Sequence, residues 1–225
     1  QGLAPSGNIT LDTDGSLQLF DGAIAFSPTF GNASGGSIDV RASDTVEAIG
    51  GALFTATLSG AGEAGTLTIN ANNLIVRDGA IVSSATWSEG SGGDVIVNAA
   101  ELVETDRSRL DSVLPTGIIN NSIFGTGEGG DIVVRTRRLV QRGGSLIVTN
   151  SGGILQTRIV PLGGPGGDIE IYASESVELS GTSADGSITS GPGTTTFGAF
   201  PAGDLTINTQ RFVAENGAIP SSATV

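Results

Sequence analysis

The chain has 225 residues, of which 36 are glycine, and it contains no Cys, His or Met. This composition excludes disulfides, zinc–thiolate sites and thiol catalysis, and it leaves Tyr172 as the only usual type of axial haem ligand. A formal net charge of −13 disfavours nucleic acid and anionic membranes as partners, because both attract clustered Lys and Arg.

One segment is locally basic, with Arg135, Arg137, Arg138 and Arg142 close together. Four arginines on short strands are more typical of a solvated face than of a phosphate site. The sequence has no apolar run of about 18 residues, so we expect no membrane insertion. It opens at Gln1 without a visible signal peptide, which suggests a processed or excised piece.

A short phrase that starts with glycine recurs along the whole chain, as in GTLTINA and GDVIVNA. Its copies begin at Gly7, Gly36, Gly65, Gly93, Gly130, Gly167 and Gly203. Seven copies at intervals of 28 to 37 residues are typical of a solenoid. We therefore expect residues 1–225 to form a single repetitive segment.

Each phrase alternates apolar and polar residues, which predicts a strand with one buried face. The second position after each glycine is apolar: Ile9, Ile38, Leu67, Val95, Ile132, Ile169 and Leu205. The fourth position is also apolar: Leu11, Val40, Ile69, Val97, Val134, Ile171 and Ile207. The sixth is always Ala or Thr, and the positions between are mostly polar and predicted to face outward, as at Asn70.

A second predicted strand begins about ten residues after each glycine, as in SLQLF and TVEAI. Most of these strands end in a pair that accepts positive φ: Asp21-Gly22, Gly50-Gly51, Asp78-Gly79, Gly143-Gly144, Ser180-Gly181 and Asn216-Gly217. A third short segment, predicted to be apolar, follows as in ALFTAT and AIVSSAT.

Three short strands per repeat and no helical periodicity predict an all-β fold, a right-handed parallel β-helix of about seven coils. We expect the longer repeats to place their extra residues in loops. The candidate insertions are TDRSRLDSVLPTG in the fourth repeat, the region of Ile147 to Ile154 with RIVPLGGPGG in the fifth, and SGPGTTTFGAFPAG in the sixth.

The phrases GGDVIVNAAELVE, LTINANNLIVRDGAIVSSAT and GGDIEIYASESVELSG resemble the repeat region of filamentous-haemagglutinin-like large exoproteins. These proteins are secreted by two-partner systems and are abundant in cyanobacteria. The resemblance covers essentially the whole chain. It implies an extracellular β-helical shaft at the cell surface that serves adhesion or surface coating. The secretion domain of such proteins is not recognisable in this sequence.

Aspartate follows the repeat glycine at Asp94, Asp131, Asp168 and Asp204, and stacking would align these residues in a column. Polysaccharide lyases and hydrolases with β-helical folds use carboxylate clusters, so catalysis is one interpretation. The interpretation favoured by the sequence is that these residues cap turns and bond local backbone N–H groups. The column belongs to the repeat itself, and we therefore expect no enzyme, no catalytic residue and no cofactor.

Weak calcium binding by Glu89 with Asp94, or by Glu128 with Asp131, is the alternative to metal-free turns. The chain lacks the full calcium-binding nonapeptide of β-rolls, and metal-free turns are favoured. The aromatic residues Phe26, Phe30, Phe54, Trp87, Phe124, Phe197 and Phe200 fall in or near the third strand. Core filling is the favoured interpretation, with a stripe that binds sugars or a neighbouring filament as the alternative.

The sequence thus predicts a structural protein, an adhesin shaft or extracellular coat component. Its expected partners are further coils of the same protein or other copies of it, together with glycans or neighbouring cell surfaces. Polymerisation through the coil ends is a second hypothesis. A polysaccharide-binding or polysaccharide-cleaving β-helix is the third.

Overall fold

The computed structural model describes residues 4–107, 115–124, 126–155, 158–160, 164–197 and 199–224. The described residues form strands and turns and contain no helix. In the first three repeats the strands are β1 (Ile9–Thr13), β2 (Leu17–Phe20), β3 (Ile24–Thr29), β4 (Ile38–Ala42), β5 (Thr45–Ile49), β6 (Ala52–Thr57), β7 (Leu67–Arg77) and β8 (Ile81–Thr86). The later strands are β9 (Val95–Asp106), β10 (Gly117–Ser122), β11 (Ile132–Arg142), β12 (Leu146–Ser151), β13 (Gly153–Leu155), β14 (Arg158–Val160), β15 (Ile169–Ser180), β16 (Gly191–Thr196), β17 (Leu205–Glu215) and β18 (Ser221–Thr224).

Two parallel sheets run the length of the described chain. The first sheet has the order β1-β4-β7-β9-β11-β15-β17, and β2 and β5 pair beside this path. The second sheet has the order β3-β6-β8-β10-β12-β16-β18. Each strand of these two sheets pairs with its equivalent in a neighbouring repeat, so the repeats are the coils of a parallel β-helix. The predicted all-β parallel β-helix is confirmed, and seven coils stack in the described chain.

The first two predicted strands of a coil are separate only in the first two coils. From the third coil onward they merge into one strand of 11 or 12 residues, as in β7 and β9. The pairing register shifts inside these long strands, between Ala71 and Asn73 in the third coil. Equivalent shifts lie between Thr136 and Arg138 and between Ala173 and Ser176. Such a bulge bends a strand, so the long strands turn a corner without a break in the sheet.

The predicted apolar stripes form the core. In the inner coils their side chains are fully buried, as at Ile69, Val97 and Ile132. In the first and last coils the same positions are only partly buried, as at Ile9 and Leu205. Each buried Leu or Ile contributes roughly 1.5 to 3 kcal/mol to stability, so stacking of neighbouring coils is the main source of stability.

The repeat glycine is required by the contact between consecutive coils. A Cβ atom at Gly93 would lie 2.5 Å from the carbonyl oxygen of Gly65, inside any normal contact distance. The same clash with the preceding coil would occur at Gly36, Gly65, Gly130, Gly167 and Gly203. Gly7 begins the first coil and has no atom within 4 Å of its Cβ position. The glycine column therefore exists because backbones stack there without room for a side chain.

The third strand differs from the prediction that it is apolar. Its inner face begins with an apolar column that includes Leu53, Val82 and Ile147, but two columns of small polar residues follow. The first polar column comprises Ser27, Thr55, Ser84, Asn120, Thr149, Thr194 and Ser222. Two of the three columns on the inner face of this sheet are therefore polar.

Side chains of this polar column connect the third strand to the repeat glycines by hydrogen bonds. Thr149 Oγ1 donates to the carbonyl oxygen of Gly167 at 2.7 Å, and Thr194 Oγ1 donates to that of Gly203 at 2.6 Å. Thr55 and Ser84 both donate to Gly65, at 2.7 and 2.9 Å. A buried carbonyl oxygen without a partner is costly, and these hydroxyls satisfy the glycine carbonyls inside the shaft.

The predicted two-residue turns are present with the expected backbone geometry. Both residues have positive φ in Asp21-Gly22, Asp78-Gly79, Gly143-Gly144 and Asn216-Gly217. In Gly50-Gly51 and Ser180-Gly181 one glycine of each pair, Gly50 and Gly181, has positive φ. These turns connect the first sheet to the second.

Two predicted insertions are wrong. Ile147 lies within β12 and Gly191 begins β16, and both strands pair in register with the third strands of neighbouring coils. In the sixth coil the extra residues form a loop from Thr182 to Ile188, before the third strand. The sequence GPGTTT is a poor strand former by propensity, and its pairing with β12 and β18 outweighs that preference.

In the fifth coil the antiparallel pair β13–β14 follows the third strand, so the extra residues there come after β12. Residues 161–163 of RIVPLGGPGG and residues 108–114 of TDRSRLDSVLPTG lie outside the described residues.

Candidate functional site

The four repeat aspartates form a ladder along the outside of the shaft. Asp94 Oδ1 accepts the backbone N–H of Asp131 at 3.0 Å, and Asp131 Oδ1 accepts that of Asp168 at 2.7 Å. Asp168 Oδ1 accepts the N–H of Asp204 at 2.7 Å. The predicted column is confirmed, but the prediction that these carboxylates cap turns and bond local backbone N–H groups is wrong. The N–H groups belong to the next coil rather than to the local turn.

The pKa of the Asp131 carboxyl is shifted by its surroundings within this ladder. Partial burial raises its pKa above the ordinary value of 3.8, and repulsion from Asp94, Asp168 and Glu128 acts in the same direction. The hydrogen bond from the Asp168 N–H opposes this shift. The ionised carboxylate is therefore held in place by the ladder at an electrostatic cost.

A shallow acidic groove of about 230 Å³ lies beside the ladder, lined by side chains that include Glu63, Asp94, Glu128 and Asp131. Within the described part of the chain, no group of three or more Asp or Glu residues is placed to hold a metal ion. Glu89 is not among the residues that line the groove. The geometry thus gives no support to the calcium alternative.

The aromatic residues do not fill the core, and that interpretation is wrong. Phe30 is 62% exposed and Trp87 is 47% exposed, and Phe26, Phe124 and Phe200 are also exposed. Five of the seven rings fall into two groups rather than one stripe, and Phe124 and Phe200 belong to neither group. Phe26 and Phe54 stack with ring centroids 5.3 Å apart on the outer face of the second sheet.

The second group consists of residues that directly follow the third strand of their coil. It forms an apolar column made of Phe30, Leu58, Trp87, Ile123 and Phe197. Backbone bonds hold this column in register: Leu58 N donates to Thr29 O at 2.9 Å, and Trp87 N donates to Thr57 O at 2.8 Å. Phe30 and Trp87 are exposed in this column, whereas Leu58, Ile123 and Phe197 are half-buried. Gly152 takes the same position in the fifth coil and interrupts the apolar column.

The basic segment does not converge on one site. Arg137 forms ion pairs with Glu101 at 2.8 Å and with Glu175 at 2.9 Å, which link three successive coils. Arg135 lies over the ring of Tyr172 at 5.6 Å. Among the described residues Arg135 makes no salt bridge. The arginines therefore act separately, as expected for a solvated face rather than a phosphate site.

A groove of about 400 Å³ lies on the outer face of the first sheet where the long strands bend. We call it the amide groove; its lining is Asn70, Ala71, Asn98, Ala99, Ala100, Arg135, Thr136, Arg137 and Ser174. It crosses the third to sixth coils. Asn98 Nδ2 donates to Asn70 Oδ1 at 3.0 Å, which connects two adjacent coils along one wall.

Comparisons with protein-family models, with curated proteins and with solved structures found no match for this chain. Its function must therefore be inferred from its own geometry. Within the described ranges, no helix is long and apolar enough to span a bilayer.

The sequence placed Asn70 and Asn98 on the outer face but did not predict the amide groove. The available signal was two asparagines at the same position of consecutive repeats, where side-chain amides can bond to each other. The concave shape itself depends on the bulge in the long strands, which the alternating pattern does not encode.

Proposed function

We propose that this chain is part of the shaft of a secreted adhesive or coat-forming exoprotein, of the filamentous-haemagglutinin-like, two-partner-secreted type. The observation that carries the proposal is the stacking of all seven coils in both parallel sheets. A solenoid of this kind is extended by adding coils and needs no other domain for its core. Length and stiffness are the properties that such a shaft supplies.

The side-chain ladders support a structural role. The Asp ladder, the Asn pairs and the Arg137 ion pairs each connect consecutive coils. Each carboxylate that accepts a backbone N–H from the next coil is already engaged in holding the stack. We therefore propose that the Asp column is structural rather than catalytic.

The partners proposed for the shaft are further coils, either of the same protein or of another copy. Apolar side chains on the outermost coils are exposed, including Ile24 at 62%, Ile219 at 54% and Phe212 at 44%. A neighbouring coil stacked on these faces would bury them and pair the outer strands β1 and β17. The proposed location is the outside of the cell.

Immunogold electron microscopy on intact cells that produce the protein tests the proposal. Antibodies against this chain are expected to label the surface of unpermeabilised cells or extended material around them. Labelling that appears only after permeabilisation would contradict an extracellular shaft.

A second experiment tests the shaft itself. In-frame removal of residues 65–92, one whole coil, joins two equivalent repeat boundaries and is expected to leave a folded, shorter rod by negative-stain microscopy. Aggregation or unfolding of that variant would argue against interchangeable coils.

A further inference from the structure

The amide groove contains hydrogen-bonding groups that the protein itself leaves free. The Asn98–Asn70 bond uses one amide proton of Asn98 and the oxygen of Asn70. Among the described residues, no hydrogen bond engages Asn70 Nδ2 or Asn98 Oδ1. Two adjacent coils therefore present a free donor and a free acceptor along one wall, beside the exposed side chain of Ala100. Ala99 also borders the groove, but its side chain is 1% exposed and packs in the core.

The electrostatics of the amide groove favour an uncharged ligand. Arg137 is neutralised by Glu101 and Glu175 on the neighbouring coils. Arg135 is exposed and stacks on Tyr172, whose hydroxyl donates to Glu170 at 3.1 Å. Positive and negative side chains thus balance each other around the groove. The chain as a whole has a net charge of −13, and this negative charge repels polyanions.

The strands beneath the groove also exclude one mode of peptide binding. The long strands β7, β9, β11 and β15 pair with a neighbour on each side. A peptide has no free strand edge there to extend. Recognition in this groove must therefore come from side chains and from the shape of the floor.

We propose that the amide groove binds a linear neutral polysaccharide that runs along the shaft axis. Sugar hydroxyls bond to the free groups of Asn70 and Asn98 and accept from the Arg135 guanidinium, and the C–H face of a sugar packs on the exposed side chain of Ala100. The rise per coil is about 4.8 Å. This is close to the length of one pyranose unit in an extended chain, so successive sugars meet successive coils.

This binding site goes beyond the structural role and does not depend on where the shaft is displayed. A purified chain in solution can therefore test it independently of the experiments on intact cells. A negative result for glycan binding leaves the location of the shaft untouched, and a negative result for surface labelling leaves the groove untouched.

Isothermal titration calorimetry of the 225-residue chain tests the site with neutral oligosaccharides of the cello, xylo and manno series, and with polygalacturonate as the anionic comparison. The decisive variant is Asn98→Ala, which removes the amide of the groove wall. The matched control is Asn150→Ala. That residue donates an equivalent amide bond to Asn121 at 2.9 Å on the second sheet, outside the groove.

We expect at least one neutral series to bind, with affinity reduced about fivefold to tenfold by Asn98→Ala and unchanged by Asn150→Ala. Arg135→Gln alters an exposed side chain and is expected to weaken binding to a similar degree. If circular dichroism shows that Asn98→Ala is unfolded, the Arg135→Gln variant still tests the proposal.

Three results would overturn the proposal. The first is the absence of binding by every neutral series. The second is equal loss of affinity in Asn98→Ala and Asn150→Ala, or no loss in Asn98→Ala and Arg135→Gln. The third is tighter binding of polygalacturonate than of any neutral chain.

Discussion

Gly93 and Gly65 stack so closely that a Cβ atom on Gly93 would lie 2.5 Å from the Gly65 carbonyl oxygen. Neither residue has positive φ, so the requirement for glycine there is one of space and not of backbone conformation. The same carbonyl oxygen accepts hydrogen bonds from Thr55 and Ser84. The repeat phrase thus begins with glycine because this corner packs backbone against backbone.

Substitution of the stacked glycine should be destabilising. Gly93→Ala is expected to lower the free energy of unfolding by about 2 kcal/mol, because the coils must separate to admit a methyl group. Gly7→Ala is the matched control, since nothing lies within 4 Å of its Cβ position. Urea denaturation followed by circular dichroism measures both variants. Equal midpoints for the two would show that the close approach is unimportant.

A charge in the apolar stripe should disrupt the stack. Ile69 is fully buried, and Ile69→Asp is expected to cost about 3 to 5 kcal/mol and to unfold that coil with its neighbours. Asn70→Asp is the control on the outer face, where the carboxylate still accepts from Asn98. It is expected to be nearly silent in thermal melts. Retained cooperative melting of Ile69→Asp would contradict the core assignment.

The polar column inside the second sheet should matter as much as the apolar stripes. Thr149→Val keeps the shape of the side chain but leaves the Gly167 carbonyl oxygen without its 2.7 Å partner. We expect a loss of about 1 to 2 kcal/mol in the free energy of unfolding. Thr195→Val, at an outward position in the next coil, should change stability little. A neutral effect of Thr149→Val would mean that water or a neighbouring hydroxyl replaces the bond.

The raised pKa of Asp131 predicts that Asp131→Asn, which has a neutral side chain, increases the stability of the fold by an amount that depends on pH. The ionised carboxylate disfavours the folded state at neutral pH, and this cost fades as pH falls through the raised pKa towards 3.8. Asp131→Asn keeps an oxygen acceptor for the Asp168 N–H, as Asn8 does for Ser37 in the first coil. We expect a gain of about 0.5 kcal/mol at pH 7, small because the group is partly exposed.

The stability gain of Asp131→Asn should vanish in acid, because the protonated Asp131 side chain and the Asn side chain are then both neutral. Asp131→Ala removes the acceptor altogether and is expected to be destabilising at every pH. Denaturation midpoints measured from pH 7 down to pH 3.5 distinguish the two variants. A pH-independent difference between Asp131→Asn and the unmodified chain would contradict the charge repulsion assigned to the ladder.

The alternating first strand was predictable residue by residue, because Ile69 and its equivalents repeat with period two beside a fixed glycine. The column of aspartates followed from the same register, but its hydrogen bonds to the next coil were not predicted. The inner hydroxyls were not predictable, because a run such as Ser83-Ser84-Ala85-Thr86 has no polarity pattern to mark which side is inside. Their burial depends on the carbonyls of the repeat glycines, which lie outside the third strand. The strand GPGTTT was missed for a related reason, since only pairing with β12 and β18 makes it a strand.

The ladder hydrogen bonds between coils lie along the shaft axis, and this orientation determines how the molecule responds to force. Tension applied between the two ends loads every coil boundary equally, and the end coils are the weakest because their apolar side chains are only partly buried. The chain is therefore expected to peel from an end in discrete steps. Each step releases one repeat of 28 to 37 residues, or about 100 to 130 Å of extended chain. A tethered shaft of this design would lengthen stepwise under load and dissipate energy at each coil before the tether broke.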